Sequence, residues 1–543
     1  MSCHGSARLT INLLAGPISR DLFNYTSGRW LVNDALRHAE RKLIFDVEGL
    51  IKLAAQSIGR QPDDVIDFSK LAEGGFNRIF LITFHDGFPN GRPYSYYAVA
   101  SEVATMDFLR SYGLPIPQVH GYSPTSDNVA KTEYILMEFM KGTNLSDVWL
   151  EMGESDIVSV LRQIAQLESK MMTISFPAAG SLYYPHDLEK VTGSKGIPLR
   201  KNKCFCVGPD TRISMWHGRR SQLDVDRGPY QTTEEVLAGA AHKELAYLEQ
   251  FSQPLLPFQR MRREGYGFQK QLPSNYIESL NRYLLIAQSL IPNNPATHHF
   301  CIRHPDLKQS NIIVSKSADT GWQVIGLIDW QHTSILPLFI LGGIPDCLQN
   351  YDDEISLSSM PPPPLPENLS SLTESEQIEA KELHRRRLIH YQYVKNTAEC
   401  NILHYEALTD RVGMFLRRLF YVASEPWEGE TFALKDALIY ATEKWERLTG
   451  GGAPCPVAFD AEDVRETKKL EAMLREDDKM FEAIRAIVNF DSDTWVSNMQ
   501  YDEAMARGKC LKEKALAAAM SAEERAEIMA HWLLDDIDET NYL

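Results

Sequence analysis

The run His304-Pro305-Asp306-Leu307-Lys308-Gln309-Ser310-Asn311 places an imidazole, a carboxylate, an amine and a carboxamide within eight residues. Ile312 to Val314 then reads as a strand. Ser315 to Trp322 reads as a turn built on Asp319, Thr320 and Gly321. Val324 to Ile328 reads as the returning strand, with Asp329 at its end. Two neighbouring strands would bring the oxygens of Asp306, Asn311 and Asp329 to one edge. Phosphoryl transfer needs such an edge, because an acceptor hydroxyl must be held in line and magnesium held against the phosphates. Asp306 would accept the hydroxyl proton. Asn311 and Asp329 are hard oxygen donors suited to Mg2+. Lys308 would neutralise charge on the moving phosphoryl group, and His304 would brace the loop.

A single Asp or Asn in a loop is ordinarily a turn former or a cap. The specific signal is the ordered set, followed by a hairpin and Ile328-Asp329-Trp330. That set resembles the aminoglycoside phosphotransferase (choline-kinase-like) enzymes, a branch of the protein-kinase-like fold. Further stretches resemble the large fungal subgroup that includes the altered-inheritance-of-mitochondria proteins. They are Leu71-Ala-Glu-Gly-Gly-Phe-Asn77, Ser101-Glu-Val-Ala-Thr-Met106, Phe205-Cys-Val-Gly-Pro209, Asp226-Arg-Gly-Pro229 and Asn350-Tyr-Asp-Asp-Glu354. The resemblance spans about residues 20–460. It implies an α+β, bilobal fold with a small β-rich N-lobe and a large, mainly helical C-lobe. It also implies ATP but does not supply a substrate; the leading expectation is transfer to a small hydroxylated molecule, with ATP and Mg2+ as cofactors.

The resemblance assigns further positions. Gly74 and Gly75, between strands 66–72 and 79–84, would be the flap over the ATP phosphates; glycine lets backbone approach phosphate oxygens. Glu102, on a helix from Ser101 to Tyr112, would be the acidic partner that orders the small lobe. Backbone around Glu138 to Met140, after the strand beginning at Tyr134, would be the adenine-binding hinge. The third strand is expected over Tyr94–Ala100, but Pro93 to Met106 contains no Lys or Arg where kinase-like folds carry a phosphate-binding base. That departure keeps a second reading open: a catalytically weak or inactive pseudokinase that serves as a mitochondrial binding or scaffold protein.

The totals bound the possibilities. A chain of 543 residues is too long for one core. The expected units are an N-terminal extension over 1–60, an N-lobe over 61–142, a C-lobe over 143–450 and a charged helical tail over 451–543. A net charge of −17 argues against nucleic acid as a partner. No apolar run reaches the roughly 20 residues of a spanning helix. Eight cysteines without paired metal-ligand spacing point to reduced thiols, with Cys204 and Cys206 as alternate residues of a strand. Residues 1–20 carry Arg8 and Arg20 and no acid, as import segments do, so a mitochondrial location is expected, with the cytoplasm as the alternative. Oligomeric state is left open.

The insert 180–233 reads as irregular and carries Arg200, Lys201, Lys203, Arg212, Arg219, Arg220 and Arg227. It is expected either to cover an anionic acceptor or to be a solvated surface loop. The triplet Arg385-Arg386-Arg387 is expected on a solvated helix face, and Asn33 as a helix cap.

Overall fold

A computed structural model of the chain describes residues 21–73, 78–84, 96–358, 362–366, 368–491 and 493–543. The N-terminal third contains two antiparallel strand pairs. It begins with β1 (Gly28–Trp30), α1 (Asp34–Glu40) and α2 (Val47–Ser57). The antiparallel pair β2 (Val65–Glu73) and β3 (Arg78–Phe84) follows. Next come α3 (Tyr96–Ser111) and the pair β4 (Val119–Ser123) and β5 (Tyr134–Met137). Phe45, Leu50, Phe80 and Leu136 pack between α2 and these pairs.

The third strand expected over Tyr94–Ala100 is overturned for residues 96–100, while 94–95 lie outside the described residues. Residues 96–100 are the first turns of α3, which is buried nearly all round from Ala98 to Met106. Ala98, Ala100 and Ala104 are strong helix formers, and their small side chains suit a helix packed on every side. Tyr96 and Tyr97 favour strand locally, and the tertiary environment overrides them.

The central part is mainly helical. It opens with β6 (Thr143–Asn144), α4 (Leu145–Val148), capped by the Asn144 side chain, and α5 (Glu154–Met172). In α5, Ile157, Val160, Leu161, Ile164 and Ala165 fall on one face at helical spacing and are buried. The insert is ordered rather than irregular. It contains β7 (Ser181–Tyr183), α6 (Pro185–Thr192), β8 (Ile197–Pro198) and β9 (Cys206–Gly208), with β9 between the other two strands. Cys206 opens β9, whereas Cys204 is exposed in the preceding turn, so the two do not share the strand.

Helices α7 (Thr233–Phe251) and α8 (Pro273–Ile286) lead to β10 (Phe300–Ile302). The hairpin β11 (Ile312–Ser317) and β12 (Gly321–Leu327) follows, then β13 (Ile335–Pro337) and α9 (Leu338–Leu341). The remaining elements are α10 (Glu354–Ser358), α11 (Glu374–Cys400), α12 (Ile402–Thr409), α13 (Arg411–Ser424), α14 (Phe432–Glu443), α15 (Trp445–Thr449), α16 (Ala461–Val488), β14 (Trp495–Ser497), α17 (Tyr501–Ala518) and α18 (Ala522–His531). One continuous apolar core runs from Val99 on α3 through α5, α7 and α8 to Trp445. The expected α+β class holds, with strand pairs first and helices dominating afterwards.

The two ends of the chain clasp each other. β1 pairs antiparallel with β14. Asn33 occupies the cap position of α1 with φ 55° but makes no capping bond. Its Nδ2 donates to Ile537 O and Glu539 Oε1, each at 2.8 Å, and its Oδ1 accepts from Ile537 N–H at 2.9 Å. The cap expected there is therefore a tail anchor. The 385–387 triplet also departs from expectation. Arg385 bonds the carbonyls of Trp149 and Met152, Arg387 forks onto Asp353, and only Arg386 is exposed.

Among the described residues no helix is long and apolar enough to cross a membrane.

Candidate active site

The loop between β10 and β11 carries the catalytic candidates. Its entrance is fixed by Arg303. The guanidinium donates to Glu168 Oε1 at 2.7 Å, Leu341 O at 2.8 Å and Tyr393 Oη at 3.0 Å, while Tyr393 donates to Glu168 Oε2 at 2.6 Å. Glu168 is buried on α5, so the pair is charge-assisted and largely dry.

His304 is buried, and burial pushes its pKa down. Its Nδ1 accepts from Asp306 N–H at 3.2 Å and its Nε2 donates to Ile328 O at 2.9 Å. One ring nitrogen accepting and the other donating is the pattern of a neutral imidazole. The ring stands 4.5 Å from that of Trp330, which is itself fully buried. His304 thus links the loop to the end of β12.

Asp306 is half-exposed and lies 2.5 Å from Lys308 Nζ. Asn311 is buried; its Nδ2 donates to Asp306 O at 2.8 Å and reaches Asp306 Oδ2 at 3.3 Å. With Nδ2 turned to Asp306, Oδ1 is the atom of Asn311 suited to a cation. Ile328 N–H donates to Asn311 O at 3.0 Å, which ties the loop to the strand before Asp329. Asp329 is half-buried and has φ 65°. Asp tolerates this left-handed conformation better than most residues, and such backbone settings cluster at functional sites.

Asp306 and Asp329 line one cavity of about 540 Å³. Its other walls come from far along the chain: Arg212 and His217 from the insert, Tyr421, Glu425 and Glu428 from the end of α13 and beyond, and Asp493 from the tail. Apart from Arg212, which the sequence offered as part of the basic insert, none of these had a sequence signal, because nothing in their spacing relates them. Burial pushes His217 down to about 4 and raises Glu425 and Glu428. The carboxylates of Asp306 and Asp329 on one cavity, with Asn311 hydrogen-bonded behind Asp306, are oxygen donors of the kind that suits Mg2+. Among the described residues no group of three or more His, Cys, Asp or Glu forms a metal cluster.

Arg212, Arg220 and Arg227 of the insert do not form a basic cover over the cavity. Arg220 is fully buried against Glu244, and Arg227 is held by the carbonyls of Met215, Leu223 and Arg220. Arg212 lines the cavity, but its charge is met by Asp210 at 2.7 Å.

The nucleotide candidates lie as follows. Gly74 and Gly75 fall outside the described residues. Before them, Lys70 Nζ donates to Asn24 O, Thr26 Oγ1 and Glu73 Oε2 at 2.8–2.9 Å, so its three protons are used. Arg78 is buried and bonds the carbonyls of Leu22 and Arg41. Glu102 is buried within α3, unlike a solvated helix glutamate. Glu138 donates its N–H to Gln118 O at 2.7 Å, and the Met140 carbonyl accepts from Gly142 N–H at 2.9 Å.

Residues 217–339 match the phosphotransferase enzyme family. A subtelomeric hrmA-associated cluster protein of Aspergillus fumigatus is 29% identical over 510 residues, covering 86% of this chain and 96% of the relative. The mitochondrial altered inheritance of mitochondria protein 9 of Clavispora lusitaniae is 27% identical over 411 residues, 62% of this chain and 63% of the relative. A solved Plasmodium vivax ethanolamine kinase is 11% identical, with TM-score 0.33, over 76% of this chain and 81% of that one. The resemblance of this chain to the aminoglycoside phosphotransferase and choline-kinase-like enzymes, and to the fungal mitochondrial-inheritance proteins among them, is therefore borne out by the family match and the fungal relatives.

Proposed function

We propose that the protein transfers the γ-phosphoryl group of ATP to a hydroxyl of a small molecule, with residues 61–142 and 143–450 as its two lobes. The observation that carries this is the single cavity shared by Asp306 and Asp329, with Asn311 hydrogen-bonded to Asp306. Asp306, exposed to that cavity, is the base for the acceptor hydroxyl. Asn311 Oδ1 and the Asp329 carboxylate would hold Mg2+, which when bound neutralises phosphate charge. Lys308, beside Asp306, faces the charge that develops on the transferred group. His304 is a positioning residue, since it holds the loop through Ile328 and does not face the reacting atoms. Gly74 and Gly75 cover the phosphates, Glu102 orders the small lobe, and the carbonyl of Glu138 with the N–H of Met140 takes the adenine edge.

The remaining wall of the cavity is acidic. Glu425, Glu428 and Asp493 face it, while the charge of Arg212 is already met by Asp210. An acceptor carrying both a hydroxyl and a positive charge suits that wall better than an anion. By likeness to the fungal relatives, the site of action is the mitochondrion.

The test is magnesium-dependent ATP consumption against pools of hydroxylated metabolites. Asp306→Asn should lower turnover about 10²–10⁴-fold, the usual worth of a positioned base. Turnover equal to wild type in Asp306→Asn would refute the assignment.

The second reading, a pseudokinase scaffold, is favoured by one observation: all three protons of Lys70 are taken by protein acceptors, and Arg78 is buried and bonded to the carbonyls of Leu22 and Arg41. Melting-temperature shifts with magnesium and ATP separate the two. A shift that disappears in Asp329→Asn supports the enzyme; no shift in wild type supports the scaffold. Asparagine is chosen because it also tolerates the φ of position 329.

A further inference from the structure

A second, larger cavity of about 880 Å³ shares no lining residue with the catalytic one. Its floor is aromatic: Phe108 and Tyr112 at the end of α3, Phe176 after α5, and Phe300 at the start of β10. Phe108 is the hub, with ring centroids 4.9 Å from Tyr112 and 5.5 Å from Phe176. Its rim is basic, with Lys170, Arg200 and Lys201, all exposed. None of the three forms an ion pair or a side-chain hydrogen bond among the described residues.

Two details turn this from a patch into a site. The rim loop is fixed: Leu199 N–H donates to Phe205 O, Phe205 N–H to Asn202 O, and Cys204 N–H to Asn202 Oδ1, while the Phe205 ring packs 5.4 Å from Phe108. The C-terminal end of α5, which abuts the cavity, would oppose an anion if its last four carbonyls were free. All four are capped. Ser169 O accepts from Thr173 N–H, Lys170 O from Thr173 Oγ1, Met171 O from Ile174 N–H, and Met172 O from His299 Nε2. Three cations therefore converge, without a counter-charge, over an aromatic floor in a chain of net charge −17.

We propose that this cavity binds a small organic anion, with a planar apolar body on the Phe108 floor and a phosphate, sulfonate or carboxylate at the Lys170–Arg200–Lys201 rim. The volume lies in the range of small-molecule pockets, roughly 300–1,000 Å³. Phe300 begins the strand that runs into Arg303 and the catalytic loop, so the occupant would press on the root of that loop.

The experiment uses the full chain and two probes: anilinonaphthalene sulfonate, which is anionic, and phenylnaphthylamine, its neutral counterpart. Binding is followed by fluorescence and calorimetry. Wild type should bind the sulfonate at one saturable site, and more weakly as salt rises. The triple variant Lys170→Ala, Arg200→Ala, Lys201→Ala should bind it about tenfold more weakly, at a stoichiometry and melting temperature equal to wild type, with the neutral probe unaffected. A double variant, Arg200→Lys with Lys201→Arg, should bind as wild type does. Equal sulfonate affinity in wild type and triple variant overturns the proposal. So does competition between the sulfonate and magnesium-ATP, which would place the probe in the catalytic cavity. Neither outcome depends on whether the protein transfers phosphate.

Discussion

Glu244→Gln is expected to destabilise the protein at a point that also shapes the cavity lined by Asp306 and Asp329. Glu244 on α7 is wholly buried. Its Oε1 accepts from Arg220 Nη2 at 2.5 Å and from Trp427 N–H at 2.8 Å; its Oε2 accepts from Arg220 Nε at 2.7 Å and Lys243 Nζ at 2.9 Å. Lys243 in turn donates to Ser424 O at 2.9 Å. The triad thus anchors both ends of the 424–427 segment behind cavity residues Glu425 and Pro426.

Glutamine keeps the shape and one acceptor, but it turns an amide donor toward cationic donors and leaves two buried cations unneutralised. Removing one partner of a buried pair costs about 3–5 kcal/mol. The hold on Glu244 gives a similar figure. Its two cationic neighbours overcome burial and depress its pKa from 4.5 to about 2, a difference of about 3 kcal/mol. Because the folded value lies below the unfolded one, this stability is present above pH 4.5 and is lost as pH falls from 4.5 toward 2.

Burial lowers Lys243 from 10.5 to about 8 even with Glu244 in place. In the variant it should fall further, so Lys243 sheds its proton and the defect shrinks in alkali. Urea unfolding followed by tryptophan fluorescence should show a loss of about 3–5 kcal/mol at pH 6, a smaller one at pH 9, and equal m values. A loss under about 1 kcal/mol at pH 6, or one that does not change with pH, would refute the assignment of a neutralising role to Glu244.

Other expectations rest on separate contacts. His217 is held near pKa 4 by burial and by nearby Arg220, below the 6.5 of the unfolded chain. Stability should therefore fall as pH drops from 6.5 to 4, by about 3 kcal/mol, and His217→Asn should flatten that limb of the stability profile. Asn33→Ala should cost about 3 kcal/mol, from three lost hydrogen bonds and a left-handed backbone, and should expose the C-terminal tail to limited proteolysis. Asn33→Gly removes the same bonds without the backbone strain, so a melting curve identical to that of Asn33→Ala would show that strain contributes nothing. Gly142→Ala would place a Cβ 2.6 Å from Val314 O and 2.7 Å from Ile313 Cγ2, so the segment proposed as the hinge must lift from the β11–β12 hairpin. Its melting temperature and its KM for ATP should both worsen; no change in either would show that the hinge does not rest there.

Several parts of the fold were legible because local chemistry and tertiary environment agree. The helix Thr233–Phe251 carries its start signal in its own residues, with Thr232 and Glu235 forming a capping box. The β11–β12 hairpin was readable because Asp319, Thr320 and Gly321 turn the chain, with Gly321 at φ 67°. The start of α3 was misread because Tyr96 and Tyr97 favour strand by themselves and only the packing around Ala98 and Ala100 selects helix. Asn33 was misread because a cap and a tail anchor look alike until residues 537–539 are placed beside it.

The sequence alone determined the order and kind of groups that could do chemistry from His304 to Asp329, because loop and hairpin are neighbours in the chain and their geometry is local. Tertiary structure decided everything that depends on distant partners. It spent the charges of Arg220 and Arg227 on Glu244 and on backbone carbonyls, where their number had suggested a basic lid. It also brought Glu425, Glu428 and Asp493 to face Asp306. Charge can be counted along a chain, but whether a cation meets solvent, a carboxylate or a ligand is fixed only by what folds against it.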